Sequence, residues 1–369
     1  MRVRRIELRN YRNYAKEMIH LSPGVNVFLG QNAQGKTNIL EAVYYAALGR
    51  SHRTSIDAEL VRWETGEAKF SLDFLRFDVE NQLEFLFFRN RRRRIVKNGA
   101  PVRMKDLIGT INVVLFSPED LFLIKGAPAG RRRFLDMEIS QADSAYFYDL
   151  AVYTRLLAQR NSLLKKIRDG EAEENELSLW DAQMVPRAVS VIQKRMEVVK
   201  KIGALAAEMQ KNLSGGKETL SLHYELHGME KEEDMTNDLY SWYNKKLAES
   251  ARLDILRGST RFGPHRDDIA FFVNGADLRS YGSQGQQRTG VLSLKLAELA
   301  FFREETGEYP VLLLDDVMSE LDRERREQLL DFIKGEELQA LVTATDEAYI
   351  PSGGFGQIFH VDHGTVTAE

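Results

Sequence analysis

Three short segments carry side chains suited to work on a phosphate chain. Gly30 to Thr37 reads GQNAQGKT and fits G-x-x-x-x-G-K-[ST]. In that pattern Gly30 and Gly35 let the backbone approach phosphates and turn its N–H groups inward. Lys36 can reach the β- and γ-phosphates, and the Thr37 hydroxyl can sit on Mg2+. Far downstream, VLLLDDVMSELD places Asp315 and Asp316 at the end of an apolar run. Carboxylates at the C-terminal edge of a buried strand stand where α/β sheets bind ligands. Asp315 would hold Mg2+ through water, and Asp316 would orient or deprotonate an attacking water. Alone, the same run reads as an acidic strand end followed by an N-cap; paired with a phosphate loop it reads as the second half of a nucleotide site. In GSQGQQRTGVLSLKLAEL, Ser283 offers a hydroxyl, Gly285 a bare backbone N–H, and the helix opening near Gln286 its N-terminal dipole. The bland alternative is a polar loop with an ordinary N-cap.

The elements that must position these groups follow from periodicity. Val3–Leu8 alternates as a strand, Val25–Leu29 is a short apolar strand, and Thr37 opens a helix with Ile39, Leu40, Val43, Tyr44 and Ala47 on one face. The strand–loop–helix context is the one a phosphate loop requires. Phe70–Phe77 and Leu83–Phe88 read as antiparallel strands, and Asn98-Gly99 marks a hairpin turn. From about Gly126 to Leu213 the pattern is helical. Val185, Val189, Ile192, Met196 and Val199 recur at spacings of four and three, with Pro186 read as a first-turn residue. That is about two heptads, too short for a long coiled coil. The acidic stretches GEAEENE and GMEKEEDMTND read as exposed connections. Strand and helix patterns return from Ile269. Residues 1–125 and 255–369 are therefore expected to form one α/β ATPase head, with 126–254 an inserted, mainly helical second lobe.

Composition narrows the field. The 369 residues contain no cysteine, which excludes disulfides, thiolate metal sites and a thiol nucleophile. The first ten residues lack the apolar core of a signal peptide, and no apolar run approaches the ~18 residues of a membrane span, so a cytoplasmic protein without a membrane partner is expected. The formal net charge is −4, so any contact with nucleic acid must use local patches.

The segment from Ser283 resembles the ABC-ATPase signature, which serves the nucleotide of a partner subunit. That resemblance implies a dimer with two ATPs held between heads. Six segments together, LRNYRNY, GQNAQGKTNILEAVYYAALGRSHR, FSPEDLFLIKGAPAGRRRFLD, GPHRDD, GSQGQQRT and LLLDDVMSELD, resemble in order the RecF family, recombination-mediator ATPases of the SMC-like branch. The resemblance spans essentially the whole chain. It implies an ABC-type, SMC-like head with a helical second lobe; the 283 − 36 = 247 residues from Lys36 to Ser283 are too few for an SMC arm and hinge. It also implies an ATP loop of Gly30, Gln31, Asn32, Ala33, Gln34, Gly35, Lys36 and Thr37, with Arg12 and Asn13 lining the nucleotide and Arg53 in the loop after the first helix. Ser283, Gly285 and Gln286 form the trans signature, with Gln284 in place of the usual first glycine. Asp316 stands where most ABC ATPases carry Glu, which implies slow hydrolysis. Thr345 occupies the switch-histidine position, and Glu119 is a weak candidate for the Q-loop role. The implied activity is a weak DNA-stimulated ATPase acting as a switch. The implied partners are DNA at gaps or junctions, RecO and RecR, in support of RecA loading.

Two arginine clusters remain. Arg89 and Arg91, Arg92, Arg93 and Arg94 cap a hairpin and are candidates for DNA phosphates, the alternative being a solvated tip. Arg131–Arg133 are expected to open a helix and support packing of the lobe on the head. One His and two Asp in GPHRDD are a weak metal set, so a salt-bridged structural loop is expected there. Two rivals stay open. An ABC transporter's ATPase subunit would need a short helical subdomain rather than a large lobe. An SMC-like nuclease ATPase would need a further acidic metal cluster.

Overall fold

A computed structural model describes residues 1–229, 238–336, 338–347 and 356–369. Most of the second acidic stretch lies outside them. The chain divides into two compact units: 1–121 with 212–216 and 288–369, and 122–211 with 217–287. The chain returns to the first unit at Arg288 rather than at residue 255. The reason is that β10 (Asp268–Val273), read as head, pairs with β9 (Leu220–Glu225) of the second unit.

The first unit holds two six-stranded sheets. One contains β3 (Val25–Leu29), β8 (Val113–Phe116), β12 (Val311–Leu314), β13 (Ala340–Ala344), β14 (Gln357–Asp362) and β15 (Thr365–Ala368), in the order β15-β14-β3-β13-β12-β8. Its strands run parallel except at the β14–β15 hairpin. β3, β12 and β13 are buried at every position, which is why they read as apolar runs without alternation. The other sheet is antiparallel, with β1 (Arg2–Tyr11), β2 (Tyr14–His20), β4 (Glu67–Arg76), β5 (Val79–Phe88), β6 (Arg94–Lys97) and β7 (Ala100–Pro101) in the order β2-β1-β4-β5-β6-β7. Asn98 and Gly99 both take positive φ in the β6–β7 turn.

Helix α1 (Lys36–Leu48) touches β8 and β13 of one sheet and β4 of the other, and every residue from Ile39 to Leu48 is buried. The one-faced reading of this helix therefore understates its burial, because two sheets cover it. Tyr45 makes edge contacts with Phe70, Phe85 and Phe87, ring geometry that fixes the helix on the antiparallel sheet.

The second unit carries most of α2 (Leu121–Lys125), α3 (Pro128–Ala142), α4 (Ser144–Arg168), most of α5 (Leu177–Leu213), α6 (Leu239–Arg257) and α7 (Leu278–Tyr281). They accompany a small sheet in which β10 lies between β9 and β11 (Ala276–Asp277). Pro186 sits inside α5 rather than in its first turn. The helix starts nine residues earlier, at Leu177, and Leu177, Met184 and Val185 bury into the unit's core. Helix α8 (Gln284–Thr306) begins here and continues into the first unit, which also contains α9 (Arg323–Gly335).

GPHRDD is the polar knot of the second unit. Tyr153 Oη lies 2.6 Å from His265 Nδ1, and His265 Nε2 lies 3.0 Å from the Thr260 carbonyl. Burial pushes this imidazole down to about 4, so it is neutral, donates from Nε2 and accepts from Tyr153. Asp267 accepts from Tyr224 Oη (2.7 Å) and the His227 N–H (3.0 Å). Burial raises its carboxyl to about 6. Asp268 pairs with Arg131 through two 2.7 Å bonds. Any side chain at Gly263 (φ 131) would place its Cβ 2.4 Å from Tyr243 Oη and 2.6 Å from Tyr153 Oη. Every candidate metal ligand here already has a protein partner. Arg131 is committed within the second unit, because its partner Asp268 belongs to that same unit; this corrects the expectation that it packs the lobe on the head.

Candidate nucleotide site

The phosphate loop leaves β3 and enters α1 through Gly35, whose φ is 119. A Cβ there would lie 2.6 Å from Asn13 Nδ2 and 2.8 Å from Tyr14 Oη, and a Cβ at Gly30 would lie 2.3 Å from the Val361 carbonyl oxygen. Both glycines are thus required by close approach of neighbouring chain. Asn13 Nδ2 donates to the Gln34 carbonyl (2.7 Å), and Tyr14 Oη donates to the Gly35 carbonyl (3.0 Å). From the other side, the Gly364 N–H donates to the Gln34 carbonyl (3.2 Å) and the His363 N–H to Gln34 Oε1 (2.6 Å). The β1–β2 turn and the β14–β15 turn therefore hold the loop between them.

Lys36 is buried, and its ammonium donates to the carbonyls of Gly30 (2.7 Å) and Gln31 (2.9 Å). Burial lowers its pKa, while Asp316 and Asp315 oppose that shift. The ammonium thus lies within the loop, in reach of the space a phosphate chain would occupy. The Thr37 hydroxyl donates to Asp315 Oδ1 at 2.9 Å across 278 residues of sequence. Thr343, on β13 between β3 and β12, donates to the same Oδ1 at 3.0 Å and accepts from the Asp316 N–H at 2.8 Å. Burial raises the Asp315 carboxyl and Asp316 adds to that, against the two threonine hydrogen bonds. A divalent cation would relieve this carboxylate. Among the described residues no three His, Asp or Glu side chains form a metal cluster, so Mg2+ on Thr37 and Asp315 would be completed by nucleotide oxygens and water. Asp316 takes φ 55 at the strand end, a backbone state that few non-glycine residues adopt.

Arg12, expected to line the nucleotide, is held by α1. It grips the buried Glu41 of α1 with Nε (2.8 Å) and Nη2 (2.6 Å). Ser51 also donates to Glu41, at 2.5 Å. Burial alone would push the Glu41 carboxyl up, but Arg12 and Ser51 carry it below its ordinary range. Asn13, by contrast, touches the loop directly and accepts from Asn38 Nδ2 at 2.8 Å; Asn38 Oδ1 in turn accepts from Arg53 at 2.7 Å. Glu119 lies just past β8 and accepts from the Ser117 hydroxyl at 3.3 Å. Thr345 follows β13 directly.

Ser283, in the second unit, caps α8. Its Oγ accepts from the Gln286 N–H (3.2 Å), and the Gln286 side chain accepts from the Ser283 N–H (2.9 Å). This reciprocal S-x-x-Q cap is the ordinary N-cap named as the alternative. It leaves the hydroxyl proton for another acceptor, so capping and phosphate recognition are compatible. Tyr281, Ser283, Gln284 and Gly285 are exposed.

In the arginine hairpin, Arg91, Arg92 and Arg94 are exposed. Arg91 stacks 3.6 Å over the Phe88 ring. Arg93 is bound instead to Asp57 (2.7 Å) and Tyr45 Oη (2.5 Å). Arg89 donates to the carbonyls of Val61, Arg62 and Thr65, fixing the loop that carries Trp63, which is 86% exposed.

Sequence reading missed Thr343 and the His363–Gly364 turn. A lone threonine in an apolar strand forms no motif, and the turn meets the loop across 329 residues.

A phosphate loop after a buried parallel strand, completed by carboxylates from a distant strand of the same sheet, defines a P-loop ATPase head of the ABC and SMC type. The family model described as the RecF/RecN/SMC N terminal domain matches residues 2–365. The DNA replication and repair protein RecF of Heliobacterium modesticaldum is 44% identical over 94% of this chain and 92% of its own length. That of Halothermothrix orenii is 42% identical over 100% and 99%. The chain belongs to the RecF family. A solved structure of the recombination mediator protein RecF-ATP in the RecFOR pathway is 36% identical, with a TM-score of 0.90 over 100% of this chain and 97% of that one. An Smc head bound to the C-winged helix domain of ScpA is similar at 16% identity and a TM-score of 0.60, covering 100% of this chain and 97% of that chain, a likeness of fold alone.

Proposed function

We propose that this protein is an ATP-dependent DNA-binding ATPase of recombinational repair, in which ATP joins two copies through their heads and slow hydrolysis releases them. The Thr37–Asp315 contact supports this best, because it closes a magnesium-compatible pair from two distant parts of the chain. Lys36 would leave the Gly30 and Gln31 carbonyls for the β- and γ-phosphates. Mg2+ would neutralise phosphate oxygens at Thr37 and Asp315. Asp316 would hold the attacking water and accept its proton. Ser283 would donate its hydroxyl proton to the γ-phosphate of a second copy, alongside the dipole of α8. Arg91, Arg92 and Arg94, with Trp63 nearby on the loop that Arg89 holds, are the DNA contacts this reading favours in the first unit. Action at gaps or junctions with RecO and RecR, stimulation by DNA and a cytoplasmic setting belong to the same reading. Among the described residues no helix is long and apolar enough to cross a membrane.

Light scattering with ATP, ADP or no nucleotide, with and without gapped DNA, tests it. The wild type should dimerise with ATP alone. Lys36→Ala should bind no ATP and stay monomeric. Ser283→Arg should bind ATP as a monomer. ATP-dependent dimerisation and normal hydrolysis by Ser283→Arg would overturn the shared site.

A further inference from the structure

A second basic feature lies in the second unit, apart from the residues assigned to the nucleotide and to the arginine hairpin. A cleft of about 540 Å³ is lined by Arg132, Arg257, Arg261, Arg266, His227 and the start of α3 at Ala127–Ala129. Arg132 is anchored, donating to the Asp267 carbonyl at 2.7 Å. Arg257, Arg261 and Arg266 form no ion pair among the described residues; Arg266 reaches only the Thr260 carbonyl, at 3.4 Å, and Arg261 faces the Phe262 ring. Helix α3 runs 15 residues, yet its N-terminus has no side-chain cap and no acidic residue in its first turn. Its N–H end therefore adds to the same positive field. The field registers on His227, whose pKa is lowered first by burial and then by Arg266 and Arg261. On a chain with a formal net charge of −4, this cleft gathers three arginines that have no carboxylate partner among the described residues, a local positive patch suited to an anion.

We propose that this cleft binds the phosphodiester backbone of a DNA strand, Arg257, Arg261 and Arg266 holding neighbouring phosphates while the start of α3 points its N–H groups at one of them. Guanidinium forks and helix N-termini both suit phosphate oxygens. No large apolar side chain lines the cleft, whose apolar residues are Ala127, Pro128 and Ala129, so it lacks the aromatic or aliphatic pocket that would anchor a peptide. The assignment rests on the DNA-binding reading above and adds to it a contact site in the second unit.

The test is the salt dependence of binding to a gapped duplex by fluorescence anisotropy. Arg257→Gln with Arg261→Gln removes two phosphate contacts and should lower the log–log slope by about 1.4 to 1.8. Arg252→Gln, an exposed arginine of α6 outside the cleft, is the charge control and should keep the wild-type slope. Ala129→Glu places a carboxylate in the first turn of α3. It should weaken binding while leaving the melting temperature at or above the wild-type value, which separates lost binding from lost folding. A slope for the double variant equal to that of Arg252→Gln overturns the cleft while leaving the functional reading intact. A wild type that binds no DNA with or without ATP overturns both. If a glutamate decapeptide binds wild type but not the double variant, and DNA binding is unchanged, the occupant is an acidic protein segment and the proposal fails.

Discussion

Replacing Asn13 by alanine separates a nucleotide contact from a strut of the loop. Asn13 Nδ2 donates to the Gln34 carbonyl at 2.7 Å, and its Oδ1 accepts from Asn38 at 2.8 Å. Two hydrogen bonds at about 1 kcal/mol each set a ceiling of about 2 kcal/mol, which is about 30-fold in Kd. The loss falls short of that ceiling because the Gly364 N–H still holds the Gln34 carbonyl. The free loop also bears part of the cost. A fall of about 5- to 30-fold in ATP affinity is expected, measured by titration calorimetry at fixed Mg2+. ADP should weaken equally, since the strut shapes the loop and reaches no γ-phosphate. Asn13→Asp keeps an acceptor for Asn38 but sets a carboxylate against the Gln34 carbonyl, so it should bind more weakly than the alanine variant. An alanine variant within twofold of wild type, or an aspartate variant that binds better than alanine, refutes the strut.

Other outcomes follow from the same geometry. Asp316→Asn removes the proton acceptor and leaves the Asp315–Thr37 pair, so single-turnover hydrolysis should fall about 100-fold or more with ATP still bound and the dimer trapped. Arg91→Ser with Arg92→Ser should lower the salt slope of DNA binding by about 1.4 to 1.8, whereas Arg93→Ser, which breaks the pair with Asp57, should cost about 1 kcal/mol of stability and leave that slope unchanged. Asp267 is raised from an ordinary 3.8 to about 6, so the unfolded chain ionises it first. Its contribution to stability therefore declines as pH rises from about 4 to about 6, by about 3 kcal/mol in all. Urea unfolding of wild type and Asp267→Asn should show a difference that moves in favour of the variant between pH 5 and 7.5; a constant difference contradicts the shifted carboxyl.

What could be read from sequence was local. Gly30, Lys36 and Thr37 announce themselves because strand, loop and helix are contiguous, and VLLLDD because a buried parallel strand leaves an unbroken apolar run. The Arg12–Glu41 pair is not legible in the sequence, because Glu41 lies on a helix whose burial on all sides cannot be read from one apolar face. Pro186 misleads because a proline is usually a boundary, yet here the core contacts of Leu177 and Met184 extend the helix past it. Thr343 and the His363–Gly364 turn act through space alone. Strand β9, LSLHYE, leaves little mark in the sequence because its central residues 221–223 are not buried, so its alternation is weak.

Strand β3 carries the phosphate loop, yet both of its neighbours, β13 and β14, belong to the late part of the chain. On the ribosome this order has a cost in time. Leu29 is made 340 − 29 = 311 residues before β13 begins, and at about 5–20 residues per second the interval is roughly 16 to 62 s. Throughout it the Val25–Leu29 edge has no partner on either side, an apolar strand open to pairing with another nascent chain. A nucleotide cannot rescue this intermediate, because the threonine that would hold its magnesium exists long before the aspartate does. The protein's yield in a cell should thus depend on what shields that edge during synthesis, and slowing translation between residues 48 and 311 should lower the soluble fraction more than slowing it after 344.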